Sequence, residues 1–403
     1  MLRKLLLPAL LLLAPLLQNC ETSSDETAPA SGGAMYSAAP CPSCGGTTGS
    51  SAPGGTGSPA PGGSQATAGV LTAGEWNDLA NWSFWQGLQK NTEWEGYQNK
   101  WGLYTAAHYS VTLTDESGLP LSDARVIAST SPTGTPLYET RTNQEGQADL
   151  FPVLFQKEAE PPCFLRVEYQ NQSFDLGAAS VGQAEKHQLP VQSTALSAVD
   201  LMFVVDATGS MTDEINYLKA ELRDVIARAH AQLPSAQLRM SSVFYRDKQD
   251  EYLTRVQPFS NDVDALLNFV NAQRADGGGD FPEAVEIALQ EALKQSWSSS
   301  ARCRLLFLVL DAPPHDEAKV QMQELMQKAA KQGVRIIPVV ASGIDRNTEF
   351  LMRATAIATN GTYVFLTNHS GIGDSHLEPT IGSYQVEFLN DLLVRLILKY
   401  SKS

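Results

Sequence analysis

The chain has 403 residues and a formal net charge of −15, with 29 Lys and Arg against 44 Asp and Glu. That length leaves room for two or three domains and for at least one ample core. The acidic balance excludes a nucleic-acid-binding class, since no basic patch can neutralise phosphates, and it suits a solvated surface and cation binding. In chain order, Arg3 and Lys4 precede an apolar segment from Leu5 to Leu17. This is a positive n-region with an h-region too short to span a bilayer. No later hydrophobic segment is long enough for a membrane span.

Cys20 closes the stretch Gln18-Asn19-Cys20, a placement that resembles the lipobox of bacterial lipoproteins. The resemblance implies a signal peptide over residues 1–20, lipidation at Cys20, and a cell-envelope location on the surface or periplasmic face of an outer membrane. Asn19 departs from the small residue usual at that position, so secretion without a lipid is the alternative. Glu21, Asp25 and Glu26 loosely resemble the acidic export signal of some surface lipoproteins. Residues 21–68 are Gly, Ser, Thr, Ala and Pro with few large apolar side chains, which predicts a disordered tether. Cys41 and Cys44 have redox-motif spacing, but no strand precedes them and no helix follows, so a local disulfide is the expectation.

Residues 69–104 hold five tryptophans: Trp76, Trp82, Trp85, Trp94 and Trp101. Thr72-Ala-Gly-Glu75 has capping-box spacing, predicting a helix that carries Trp76, Leu79 and Leu88, and a second short helix is expected near 92–99. The tryptophans are read as a face docked on a neighbour, with a carbohydrate-binding platform as the other possibility. Residues 105–192 alternate with period two, as in Tyr109-Val111-Leu113 and Leu165-Val167-Tyr169, with turn signals at Asp115–Gly118 and Asn143–Gly146. A small antiparallel sandwich is predicted, and the run Val111–Val126 with Thr142–Gly146 resembles bacterial Ig-like or carboxypeptidase-regulatory-like modules, which act as spacers or interaction platforms.

From residue 197 to 403 the pattern becomes βα alternation. Leu201–Asp206, Arg304–Leu310 and Val334–Val340 read as strands buried on both faces, Arg239–Tyr245 as a strand with Tyr252–Phe259 returning beside it, and Thr362–Leu366 as a further strand. Helices are predicted through Ile215–Ala229, Ala265–Val270, Ala284–Leu293 starting near Pro282, Met322–Ala329, Phe350–Ile357, and a closing helix counted from Val386 through Ile397. The fold class is α/β, a doubly wound and mostly parallel sheet preceded by a small β-sandwich and a short helical segment. In such sheets ligands sit at the carboxyl ends of the strands.

The stretch that follows the first buried strand carries the chemistry. Asp206, Thr208 and Ser210 alternate there, and a carboxylate with two hydroxyls suits a hard divalent cation, while Thr or Ser before a helix also suits an N-cap. These residues, with Asp311 ending the Leu-Phe-Leu-Val-Leu strand, resemble the metal-ion-dependent adhesion site of von Willebrand factor type A domains. The resemblance covers about residues 197–403 and implies a cation, Mg²⁺ first with Mn²⁺ or Ca²⁺ as alternatives, held by Asp206, Thr208, Ser210 and Asp311. The second loop departs from that family's pattern: Asp280 stands where a Thr would be. A third carboxylate implies tighter intrinsic cation binding and a weaker demand for an acidic partner ligand, unless Asp280 caps the following helix.

His315, Asp316 and His376 are candidates for the periphery of the site. Gly371-Ile-Gly373 lacks a P-loop lysine and does not complete a dinucleotide fingerprint, and no nucleophile signature or His-Glu-x-x-His is present. The expected function is cation-dependent binding of a protein or extracellular-matrix partner at the envelope, without catalysis. The alternatives are an envelope structural or assembly role with a merely stabilising metal, and a metal-assisted hydrolase using His315 or His376.

Overall fold

The computed structural model describes residues 66–157, 162–234 and 236–401. The expectations for the signal segment, Cys20, Cys41 and Cys44 fall outside these residues. These described residues belong to one compact unit.

The described chain begins with a departure from expectation. Thr72–Trp76 is a strand, β1, and not the start of a helix. The capping-box spacing is overridden by partners distant in sequence. Leu71 and Ala73 are fully buried on one face, and a Cβ on Gly74 would lie 2.4 Å from the Phe365 ring, so the backbone presses against aromatic side chains that a helix could not reach. Three backbone N–H groups just before it, those of Gly69, Val70 and Leu71, donate to the buried Glu221 carboxylate at 2.9–3.1 Å. The helices come later, as α1 (Trp82–Leu88) and α2 (Thr92–Trp101), the second capped by Asn91 and ended by Gly102 in the left-handed region.

Trp85, Trp94 and Trp101 are each no more than 2% exposed. Trp85 and Trp94 pack on Phe350, and the buried Arg353 guanidinium lies 5.1 and 5.0 Å from their ring centres. The docking reading therefore accounts for these three rings, which have no free face for a sugar. The remaining pair divides: Trp76 is buried, whereas Trp82 is half-buried against His108 and Phe151.

Period-two segments then form two small sheets. Their strands are β2 (Tyr109–Thr114), β3 (Arg125–Ser129), β4 (Pro136–Arg141), β5 (Gln147–Leu150), β6 (Cys163–Tyr169), β7 (Gln172–Ala179) and β8 (Ala184–Gln188). The orders are β5-β2-β8 and β4-β3-β6-β7, antiparallel except for β2 with β8. The alternation of β2 and β6 puts Val111, Leu113, Leu165 and Val167 into a shared core.

The remaining elements build the large sheet: β9 (Ala198–Asp206), α3 (Thr212–Gln232), β10 (Gln237–Tyr245), β11 (Thr254–Ser260), α4 (Val263–Ala272), α5 (Val285–Ala292), β12 (Ala301–Leu310), α6 (Lys319–Gln332), β13 (Val334–Val340), α7 (Arg346–Ala358), β14 (Tyr363–Leu366), β15 (Glu387–Phe388) and α8 (Leu389–Ser401). Strand order is β11-β10-β9-β12-β13-β14-β1-β15, parallel from β10 to β14. One face packs against α3, α4 and α8 and the other against α5, α6 and α7, which is why the central strands are apolar on both sides. Val386 lies outside the closing helix and is exposed. The structure bears out the α/β class. Cys303, on β12, is a buried thiol, and burial pushes it up to about 11. Among the described residues no helix is long and apolar enough to cross a membrane.

Candidate functional site

The carboxyl ends of β9, β10 and β12 converge at one edge of the large sheet. Asp206 ends β9, fully buried. Its Oδ1 accepts from the Thr208 backbone N–H at 2.9 Å and from the Thr208 hydroxyl at 2.7 Å, and that hydroxyl lies 3.2 Å from Ser210 Oγ. Thr208 precedes a short 3-10 turn, Gly209–Met211, but makes no side-chain cap bond. Its hydroxyl is therefore aimed at Asp206 and Ser210 and is not spent on the helix end.

The second loop approaches closely. Gly209 N–H donates to Gly277 O at 3.1 Å, and a Cβ on Gly209 would be 2.7 Å from that oxygen. Gly277 and Gly278 both take φ in the left-handed region, at +79° and +72°, where only glycine sits without strain. Asp250 fixes this turn by accepting from Gly278 N–H at 2.9 and 3.1 Å.

Past the glycines the structure departs from expectation. The helix does not start at Pro282: Glu283 forms a parallel bridge with Pro314, its N–H donating to Pro313 O at 2.9 Å, and α5 begins at Val285 with Ala284 as its N-cap. Asp280 is thus no helix cap. It stands exposed on the rim of a cleft of about 400 Å³ lined also by Ser210, Phe281, Glu283 and Asp311. The extended stretch carries Glu283 inward instead, where it is 3% exposed. A Cβ placed on Gly278 would lie 3.0 Å from Glu283 Oε1 and 3.4 Å from Thr208 Cβ, which locates this carboxylate beside Thr208.

The electrostatics follow from this crowding. Burial first, then the negative charges of Asp206, Asp247, Asp311 and Asp250, push the Glu283 carboxyl up to about 9. Burial also raises Asp206, against the pull of the Thr208 hydrogen bonds, and raises Asp311, with the Asp206 charge adding to it. Tyr245, opposite Asp206 in the β9–β10 register, is pushed well above its usual value by burial and the Asp206 charge. Asp206 Oδ2, Asp311 Oδ1 and Glu283 Oε2 are buried without a hydrogen-bond partner. Buried carboxylate oxygens are ordinarily satisfied, so three orphans at one cleft call for a cation or protons.

The donor set fits a hard divalent ion: carboxylates from three loops and two hydroxyls, all oxygen. Among the described residues no group of three or more His, Cys, Asp and Glu has the arrangement of a metal cage. Any ion here would need the Thr208 and Ser210 hydroxyls as well.

The peripheral candidates divide. His315 Nε2 lies 2.8 Å from Asp247 Oδ1, which brings that histidine to the edge of the site. Asp316 points to an exposed ion pair with Lys100 at 2.8 Å. His376 is buried, with Nε2 3.2 Å from Glu214 Oε1 and Nδ1 3.1 Å from Asn368 Oδ1. Glu214 in turn contributes to raising Asp311, so His376 reaches the site only through it. Sequence reasoning missed Glu283, Tyr245, Asp247 and Asp250. Tyr245 ends β10 and Asp247 follows it, so the strand-end rule that singled out Asp206 and Asp311 applies to them equally.

A doubly wound sheet with an acid- and hydroxyl-lined cleft at its carboxyl edge defines the class. Residues 200–374 match the family model of the von Willebrand factor A domain, and this segment carries such a domain. The chain is 30% identical over 125 residues to a protein described as ariadne-like RING finger from Acanthamoeba polyphaga mimivirus, covering 31% of this chain and 12% of that protein. It is 22% identical over 214 residues to alpha-protein kinase vwkA of Dictyostelium discoideum, covering 52% of this chain and 33% of the kinase. The chain therefore spans a third or less of these curated relatives. Among solved structures it is similar to the conserved hypothetical protein BatB from Bacteroides thetaiotaomicron, at TM-score 0.35 and 12% identity, covering 51% of this chain and 100% of that one. An aerotolerance-related membrane protein from Bacteroides fragilis, with multiple mutations to serines, matches at TM-score 0.34 and 13% identity over 50% of this chain and 99% of that one.

Proposed function

We propose that this protein binds a protein partner at the cell envelope through a divalent cation, Mg²⁺ first, held by Asp206, Thr208, Ser210 and Asp311, with the Glu283 carboxylate beside Thr208. The observation that carries the reading is the set of three buried carboxylates, each with an oxygen that no donor satisfies. A bound cation would supply positive charge to these oxygens and an open coordination position to a partner. Asp280, on the rim, would meet that partner or a coordinated water. The lipobox-like Cys20 would provide the anchor, and the 21–68 tether the reach.

The proposal is for a binding protein and not an enzyme. His315 Nε2 lies 2.8 Å from Asp247 Oδ1, and His376 Nδ1 lies 3.1 Å from Asn368 Oδ1 with its Nε2 3.2 Å from Glu214, contacts that fit positioning better than the activation of a nucleophile. The test is a pull-down from envelope extracts with wild type and Asp206→Ala, in Mg²⁺ and in EDTA, alongside thermal melts. Capture lost in EDTA and in the variant, with melting still cooperative, supports adhesion. Capture unaffected by either overturns the reading, and loss of folding alone in EDTA favours a structural metal.

A further inference from the structure

We propose that a second cleft, at the foot of the large sheet, binds a small phosphate-bearing molecule whose dianionic group sits on the Arg335 guanidinium. The site is independent of the cation reading above. Arg335 stands near the amino end of β13, at the end of the sheet opposite Asp206 and Asp311, and is 8% exposed. An arginine stays charged at any physiological pH, and one buried this deeply is ordinarily paired with an anion. Among the described residues, the Arg335 side chain makes neither an ion pair nor a hydrogen bond; it is offered the Tyr400 ring instead, centred 5.8 Å away. It lines a cleft of about 400 Å³ walled by Asn77 ahead of α1, by Asn143 and Asp149 of the small sheets, and by Asn360 and Lys399. A space of that size holds a phosphate with a small organic part.

The charges around Arg335 do not cancel it. Behind it a narrow seam of about 10 Å³ runs between the Asn143–Gly146 turn and β12, lined by Arg141, Arg302 and Arg304 against one acid, Asp123. Arg304 and Arg141 share that acid, at 2.8 and 3.3 Å. Arg302 has no part in it, and its Nε is buried without a partner. The other acids of the cleft are engaged elsewhere or lie at its rim. Asp149 is 2.7 Å from His108 Nε2, and Glu75, on the Lys399 side, is 2.8 Å from Arg395 and 3.4 Å from Lys399. Glu145 is exposed. Four guanidinium groups against Asp123 and Glu145 leave two positive charges, which suits a dianion better than a monocarboxylate. A phosphate monoester carries close to two negative charges at neutral pH and presents three oxygens to a guanidinium fork. Lys399, half-exposed at the mouth, adds a further charge there.

Calorimetric titration of the full chain with inorganic phosphate and with glycerol phosphate, in Mg²⁺-free buffer at near-physiological salt, tests this. Each should bind at a single site, and acetate at least about tenfold more weakly. Arg335→Gln should weaken phosphate binding by at least about tenfold, and Arg335→Lys, which keeps the charge and loses the fork, should not restore it. Arg302→Gln should weaken it several-fold and Glu145→Gln should tighten it, while Asp206→Ala, at the other end of the sheet, leaves it unchanged. Melting curves establish that each variant folds; should Arg335→Gln fail to fold, the opposite shifts of Arg302→Gln and Glu145→Gln decide the matter. Absence of phosphate binding, affinity indifferent to these substitutions, or equal affinity for acetate overturns the proposal. So does capture of the chain by phosphatidic acid vesicles with no binding of the soluble phosphates.

Discussion

Asp78→Asn should destabilise the protein without touching the cleft. Asp78 Oδ1 and Oδ2 accept from Arg353 Nη2 and Nε at 2.6 and 2.9 Å, and both residues are nearly fully buried. The same guanidinium also donates to Glu349 Oε1 at 3.0 Å and Thr380 O at 2.8 Å. Removing one partner of a buried ion pair costs about 3–5 kcal/mol, because the other charge is left uncompensated in low dielectric. Since Glu349 still faces Arg353 in the variant, the lower end, about 3 kcal/mol, is expected. At about 2–4 °C per kcal/mol, with the smaller slope for a unit this large, the melting temperature should fall by roughly 6 °C. Differential scanning calorimetry measures the fall, and a double-mutant cycle with Arg353→Met isolates the coupling, expected to exceed about 1 kcal/mol. Mg²⁺ affinity should not change, as neither residue lines the cleft. A fall under about 2 °C, or coupling near zero, would refute the view that this pair pins the tryptophan-bearing segment to α7.

Two further outcomes follow from buried carboxylates. Because Glu283 is raised from 4.5 to about 9, the cation-free folded state keeps a proton that the unfolded chain gives up. Its contribution is present in full below about pH 4.5 and lost as pH rises toward about 9, and Asp206 and Asp311 act in the same direction. Melting temperature in EDTA should therefore decline from about pH 5 to 8.5 and be flatter in saturating Mg²⁺, with protons released on binding; a rise in EDTA across that window contradicts the electrostatic account. Glu221→Ala should cost about 1–3 kcal/mol and speed amide exchange at Gly69, Val70 and Leu71, whose N–H groups lose their acceptor. Unchanged exchange there would mean β1 is held without that carboxylate.

The contrast between β9 and β1 explains what could be read from residues alone. Leu201–Val205 is apolar throughout, and only a strand covered on both faces makes that favourable, so its type and the placement of Asp206 at its end were legible. Thr72–Trp76 has no such internal pattern. Its conformation is imposed by β14, by β15 and by the Phe365 and Tyr384 rings against Gly74, contacts from far along the chain. Glu283 was hidden for a related reason. Pro282 suits the first turn of a helix, yet proline also biases the residue before it toward extended backbone, and the bridge from Glu283 to Pro314 selects the second option. Asp280 and Glu283 are both acids within one loop, and only the third loop's backbone decides which one turns inward.

Calorimetric titration of the chain with Mg²⁺, beside Asp206→Ala and Glu283→Gln, tests the central claim most directly. The account predicts single-site binding in the wild type, loss of binding in Asp206→Ala and weaker binding with less proton release in Glu283→Gln. Absence of binding to the wild type, or affinity unchanged by Asp206→Ala, would contradict it.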